Sequence, residues 1–192
     1  MNDDIDMIIQ FVEGRITAQQ FEAYLYSSKT IQSLLEQEDC FGYHNLYYSL
    51  LEANYKLLYG TLYAQECLEK LLQKLNISYT ANDKYKQDSS LILDASPQWL
   101  CADPDFVQEN FLKDNPTATK KELKNWLLSK FKYVKSAPKW IQDCDWPIRN
   151  NNPLVFIGQL KFDGGQYFHD TTCFYLFFDP TTTDCETITQ SY

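Results

Sequence analysis

The chain has 192 residues, enough for one large domain or two small ones to close a core without metal or disulfide staples. Hydrophobic residues make up 44% and aromatics 16%, with 14 Tyr and 12 Phe, which excludes a disordered chain. The formal net charge of -9, with acids in excess at both ends and a balanced middle, argues against nucleic acid or anionic membrane as a partner and for a basic protein.

The six cysteines, Cys40, Cys67, Cys101, Cys144, Cys173 and Cys185, show no CxxC and none of the close Cys/His spacing of a zinc site. Residues 1–25 lack the basic start, apolar run and cleavage site of a signal peptide, and no apolar stretch reaches about 18 residues. A cytoplasmic protein with reduced thiols is expected.

Along the chain, the first third reads as helix. Ile5, Ile8, Ile9 and Val12 form one apolar stripe, and Gly14 stops it. Thr17 caps a second helix, with Gln20 as its capping-box partner and Ile16 packing on Phe21 as a staple. Ile31, Leu34 and Leu35 mark a third, short helix. From Tyr43 to Ile77 the spacing is helical nearly throughout, with a break expected around 54–60 because Gly60 costs about 1 kcal/mol in a helix interior. The tyrosines of these fourth and fifth helices are expected mostly in or near the core. Residues 1–76 thus form a helical subdomain, and the turn formers of "SYTANDKYKQDSS" predict a loop or linker over 77–93.

Residues 94–192 read as short helices leading into a sheet, packed as one unit with 1–76. Helix starts are expected at Ser96-Pro97, at Asp103-Pro104, and at Thr119 with Glu122 three residues later. Leu123, Trp126, Leu127 and Phe131 line the last helix. After Pro138 the pattern changes to strands: "PLVFIGQLKF", a turn at "DGGQ" (163–166), "TTCFYLFFD", a turn at "PTTTD", and "CETITQSY". Helices first and strands last predict an α+β fold, an N-terminal helical region followed by a C-terminal antiparallel β-meander.

Catalytic patterns are sparse. His44 lies among tyrosines. His169 stands beside Asp170, but strand neighbours point to opposite faces. Cys173, four residues on, would be about 13 Å away on a straight strand, too far for a nucleophile and its base. The sequence has no GxSxG, HExxH, Walker loop or GxGxxG. "WIQDCDW" offers Asp143 and Asp145, two carboxylates at i, i+2 of the kind a metal or acid/base pair uses. No enzyme, no metal and no cofactor is expected.

Two stretches, "FVEGRITAQQFEAYLYSS" (Phe11–Ser28) and "PKWIQDCDWP…PLVFIGQLKF…FYLFFD" (Pro138–Asp179), resemble bacterial immunity proteins encoded beside polymorphic toxins, including those of contact-dependent growth inhibition. "PLVFIGQ" is also similar to the sheet of a bacterial family of unknown function. The resemblance implies a cytosolic antidote that binds the C-terminal domain of a cognate toxin, a domain type that is often a basic nuclease, and neutralises it without chemistry of its own. A monomer is the expected state. Glu36, Glu38, Asp39, Asp143, Asp145, Asp163 and Asp170 are the candidate toxin-binding acids. Pro138, Trp140, Trp146, Pro147, Pro153 and Gln159 are expected to guide the chain from helices to sheet, with Gln159 satisfying backbone groups. A second class remains open: a small-ligand or hydrolytic protein in which Asp143, Asp145, His169 or Gln159 lines a pocket on the sheet. A third is a homo-oligomeric scaffold built on the aromatic helices.

Overall fold

The structure is a computed structural model that describes residues 3–40, 44–165 and 169–192. Tyr43, expected at the head of the fourth helix, and Gln166 of the expected turn lie outside the described residues. The chain divides into two compact units, Met1–Ser89 and Ser90–Tyr192. No helix among the described residues is long and apolar enough to cross a membrane.

The first unit is helical. α1 (Asp3–Val12), α2 (Ala18–Ser27) and α3 (Lys29–Leu35) precede a two-residue hairpin pair, β1 (Asp39–Cys40) and β2 (His44–Asn45). α4 (Leu46–Glu52) and α5 (Leu58–Lys74) follow, and α6 (Lys84–Ala95) crosses into the second unit. The stripe of α1 is buried as its spacing requires, with Ile8 and Val12 fully enclosed. Thr17 and Gln20 form the reciprocal capping box at the start of α2. Gly14 has φ +70, a conformation that favours glycine, and the Asn82 side chain lies where a Cβ would be. Phe11 stacks on Phe21 at 4.5 Å, and Tyr55 meets both rings edge-on or tilted. The buried Asp4 carboxylate ties α1 to its neighbours, accepting hydrogen bonds from the hydroxyls of Tyr24 (2.7 Å), Ser28 (3.1 Å) and Thr30 (3.0 Å).

Three details depart from expectation here. The break between the fourth and fifth helices spans 53–57, and Gly60 lies inside α5. It is needed there: a Cβ at Gly60 would sit 2.1 Å from the Asn54 carbonyl oxygen. Gly60→Ala, although Ala is about 1 kcal/mol better in a helix, is therefore expected to destabilise by about 1–3 kcal/mol through overpacking. A thermal melt followed by helical circular dichroism checks this, and a raised midpoint would overturn the close approach.

Second, much of the loop expected over 77–93 is helix. The Asn82 side chain accepts from the Lys84 backbone N–H at 3.1 Å, and Lys84–Asp88 and Lys86–Glu69 pairs, each at 2.8 Å, hold α6. These polar anchors leave no apolar period to read. Third, Tyr47 and Tyr55 are buried, but Tyr48, Tyr59 and Tyr63 are exposed. In addition Cys67 is disulfide-bonded, against the expectation that all thiols are reduced. No sequence spacing signals that bond.

In the second unit, Ser96-Pro97 ends α6 rather than starting a helix. The Ser96 hydroxyl donates to the Ile92 carbonyl, and Leu100 N–H closes a turn on Pro97. Asp103 caps α7 (Pro104–Val107), which runs into a π-helical turn at Gln108–Leu112. α8 (Lys120–Lys130) begins with the Thr119/Glu122 capping box. A hairpin, β3 (Ile148–Arg149) with β4 (Asn152–Pro153), turns through Asn150 (φ 49) and Asn151 (φ 63), the positive dihedrals of a type I′ turn. Pro153 thus belongs to this hairpin and not to the start of the long strand.

The sheet is the expected antiparallel meander, β5 (Val155–Phe162), β6 (Thr172–Phe178) and β7 (Cys185–Ser191), in sequence order. The register shifts between Phe156 and Gly158, leaving Ile157 as the extra residue of a bulge. The fold is α+β.

Candidate functional site

The passage from helices to sheet is held on the inner face of the meander. Phe156, Cys173, Tyr175 and Phe177 point inward and are fully or almost fully buried. Trp146 sits among Trp99, Phe131, Phe156 and Phe177 with ring centroids 5.3–6.3 Å away, and its indole N–H donates to the Leu154 carbonyl at 2.9 Å. Trp140 lies 4.5 Å from the Tyr175 ring and donates to the Trp99 carbonyl. Pro138 is buried, and the Pro147 carbonyl accepts from Leu154 N–H at 3.0 Å.

Gln159, expected at the end of its strand, stands within β5 and bonds the backbone of a residue remote in sequence. Its Oε1 accepts from Lys139 N–H at 2.7 Å and its Nε2 donates to the Lys139 carbonyl at 3.1 Å. Tyr175 and Gln190 complete the clasp. The Tyr175 hydroxyl accepts from Ile141 N–H and donates to the Lys139 carbonyl, while Gln190 binds the backbone of Ile141, Gln142 and Asp143. Burial pushes the Tyr175 hydroxyl well above its ordinary pKa.

The opposite face of the same sheet is different. Leu160 pairs with Phe174 and Gly158 with Leu176 in register, and Thr187 and Thr189 of β7 continue these rows. Alternation turns all of these side chains outward. Leu160 is 58% exposed, and Leu176, Ile157 and Phe162 are also exposed. Phe162 and Phe174 meet edge-on at 5.9 Å. This is a contiguous aliphatic and aromatic strip bordered by hydroxyls. Sequence reasoning missed it because the continuous apolar run of "PLVFIGQLKF" does not mark which side chains stay uncovered. The signal available was that "FYLFF" is apolar at both parities, so both faces of the sheet need a cover.

The candidate acids fall in separate places. Glu36 accepts from Gln32 at the end of α3, Glu38 is paired with Lys74, and Asp39 begins β1, all in the first unit. In the second unit Asp143, Asp145, Asp163 and Asp170 are exposed, with Asp163 3.1 Å from Lys161. Asp143 lines a cavity of about 590 Å³ with Trp99, Cys101, Lys139, Trp140 and Cys144, whereas Asp145 lines a different one beside Ile148. Gln159 is engaged with Lys139, and His169 is exposed. The four side chains of the hydrolytic reading therefore do not line one shared cavity. Among the described residues, no group of three or more His, Cys, Asp or Glu side chains is placed to hold a metal ion.

A charge cluster stands at the end of the sheet, where Arg149 faces Glu186 at 2.7 Å and Asp179 and Asp184 at 3.8 Å. Asp179 also accepts from the backbone N–H groups of Thr181 (2.8 Å) and Thr182 (3.4 Å). The Thr181 bond foremost, with help from Arg149, holds its carboxyl below the usual Asp range. Because the folded value is the lower one, this stabilisation is complete above the unfolded pKa of about 3.9 and is lost as pH falls through the folded value. The stability gap between the native chain and Asp179→Asn is thus expected to be wide at neutral pH and to narrow as urea unfolding is repeated toward about pH 2. A gap that stays constant would show that the turn does not depend on the charge.

No family model, no curated protein and no solved structure matches the chain.

Proposed function

We propose that the chain is a protein inhibitor of the immunity type, which captures a basic toxin domain on the outer face of β5–β7 and silences it by occupancy. The observation that carries this reading is the exposed strip of Ile157, Leu160 and Leu176 on a sheet whose inner face is already filled. Contiguous exposed apolar surface bordered by polar groups is the usual mark of a protein-binding face. The net charge of -9 supplies the complement to a cationic partner, and a cationic cleft is what a nuclease needs to hold phosphate.

Charge then governs the encounter and apolar contact the lifetime. Raising salt should slow association far more than it speeds dissociation. The cytosol is where such an antidote would meet its toxin; the Cys67 disulfide pulls the other way, toward an oxidising compartment. Cell fractionation with thiol trapping decides that point.

The test takes the protein encoded immediately upstream, purifies its C-terminal domain, and measures association and toxicity with and without this chain. Nanomolar binding with loss of toxicity supports the proposal. A fully active toxin that does not associate sinks it.

A further inference from the structure

Cys101 and Cys144, 43 residues apart in sequence, share one wall of the 590 Å³ cavity. The Cys101 backbone N–H donates to the Cys144 sulfur at 3.1 Å, and the Cys144 thiol points toward the Trp99 carbonyl at 3.8 Å. A sulfur that close to the Cys101 nitrogen lies within about 4.6 Å of the Cys101 Cα. The Cys144 sulfur is about 2.8 Å from its own Cα, so the two Cα atoms are at most about 7.4 Å apart, a ceiling just beyond the span of a disulfide that a small backbone shift brings within reach. Both cysteines are free, Cys101 is exposed, and Cys144 is half-buried.

We propose that Cys101 and Cys144 form a redox-active dithiol that closes to an intramolecular disulfide by exchange with a low-molecular-weight disulfide such as glutathione disulfide. The Cys101 thiolate attacks one sulfur of the small disulfide. That bond breaks, one glutathione leaves as thiolate and takes a proton, and Cys101 carries the other. Cys144 then loses its proton and attacks the Cys101 sulfur, releasing the second glutathione. Two protein thiols are oxidised and one small disulfide is reduced to two thiols, so atoms and electrons balance.

Exposure sets the order of attack. Cys101 is the sulfur a solute can reach, and Cys144, whose thiol is pushed up to about 11 by burial, resolves the mixed disulfide from beside it. The closed bond ties the turn before α7 to the loop carrying Asp143 and Asp145, which would make the shape of the cavity depend on redox state.

The experiment equilibrates the reduced full-length chain in a series of glutathione and glutathione disulfide mixtures, quenches with acid, alkylates the remaining thiols and maps peptides by mass. Cys185, also free and exposed, is the reference in the same tube. The linked Cys101–Cys144 peptide is expected to reach half its maximum at a glutathione disulfide fraction at least tenfold below that which half-caps Cys185. In Cys144→Ser the link should vanish, leaving Cys101 capped to the same extent as Cys185. Capping of native Cys101 parallel to Cys185 with no linked peptide would overturn the proposal. So would pairing of Cys101 with Cys173 or Cys185 in the variant.

Discussion

Replacing Trp146 by alanine is expected to destabilise the C-terminal unit by about 3–5 kcal/mol. The indole fills the space between Trp99, Phe131, Phe156 and Phe177, so truncation removes its burial and leaves a cavity walled by rings that cannot all collapse inward. It also strands the Leu154 carbonyl, which otherwise accepts the indole N–H. A loss of this size is a large fraction of the stability of an ordinary domain. All four tryptophans, Trp99, Trp126, Trp140 and Trp146, lie in residues 90–192, so urea unfolding followed by tryptophan fluorescence reports this unit alone. Trp146→Phe keeps most of the volume and loses the N–H, and should cost much less. A Trp146→Ala chain that unfolds at the native urea concentration would mean that the residue is not a core element.

What the sequence made legible is local chemistry. The capping boxes at Thr17/Gln20 and Thr119/Glu122 are closed within four residues, so spacing alone finds them. The meander follows from three β-rich runs separated by turn formers. What stayed hidden depends on partners distant in the chain. α6 is held by Lys86 reaching Glu69, and Gly60 is explained only by the Asn54 carbonyl against it. The Asn150-Asn151 turn was readable in principle, since two consecutive asparagines suit positive φ, but a following apolar run drew Pro153 into the wrong strand. Gln159 shows the middle case: an amide side chain in an apolar strand calls for a polar partner, whereas Lys139 as that partner is a tertiary fact. The Cys101–Cys144 contact had no signal, because no spacing rule relates residues 43 apart.

Leu160→Asp combined with Leu176→Asp is expected to weaken capture of the toxin domain by about 100-fold or more while leaving the urea midpoint nearly unchanged. Both side chains are exposed, so folding loses little when they change. In a complex the same positions would be desolvated, and an unpaired carboxylate there costs several kcal/mol. The two losses need not add, because the residues stand on neighbouring paired strands. Charge changes should act differently. Neutralising Asp163 and Asp170 to Asn, or Asp143 and Asp145, should lower the association rate at low salt and leave dissociation almost untouched, since rim charges steer rather than hold. The pattern of rates therefore locates the docking face. If the double aspartate variant bound as tightly as the native chain while neutralising Glu36, Glu38 and Asp39 abolished binding, the toxin would dock on the helical unit, and the outer face of the sheet would have to be assigned to another role.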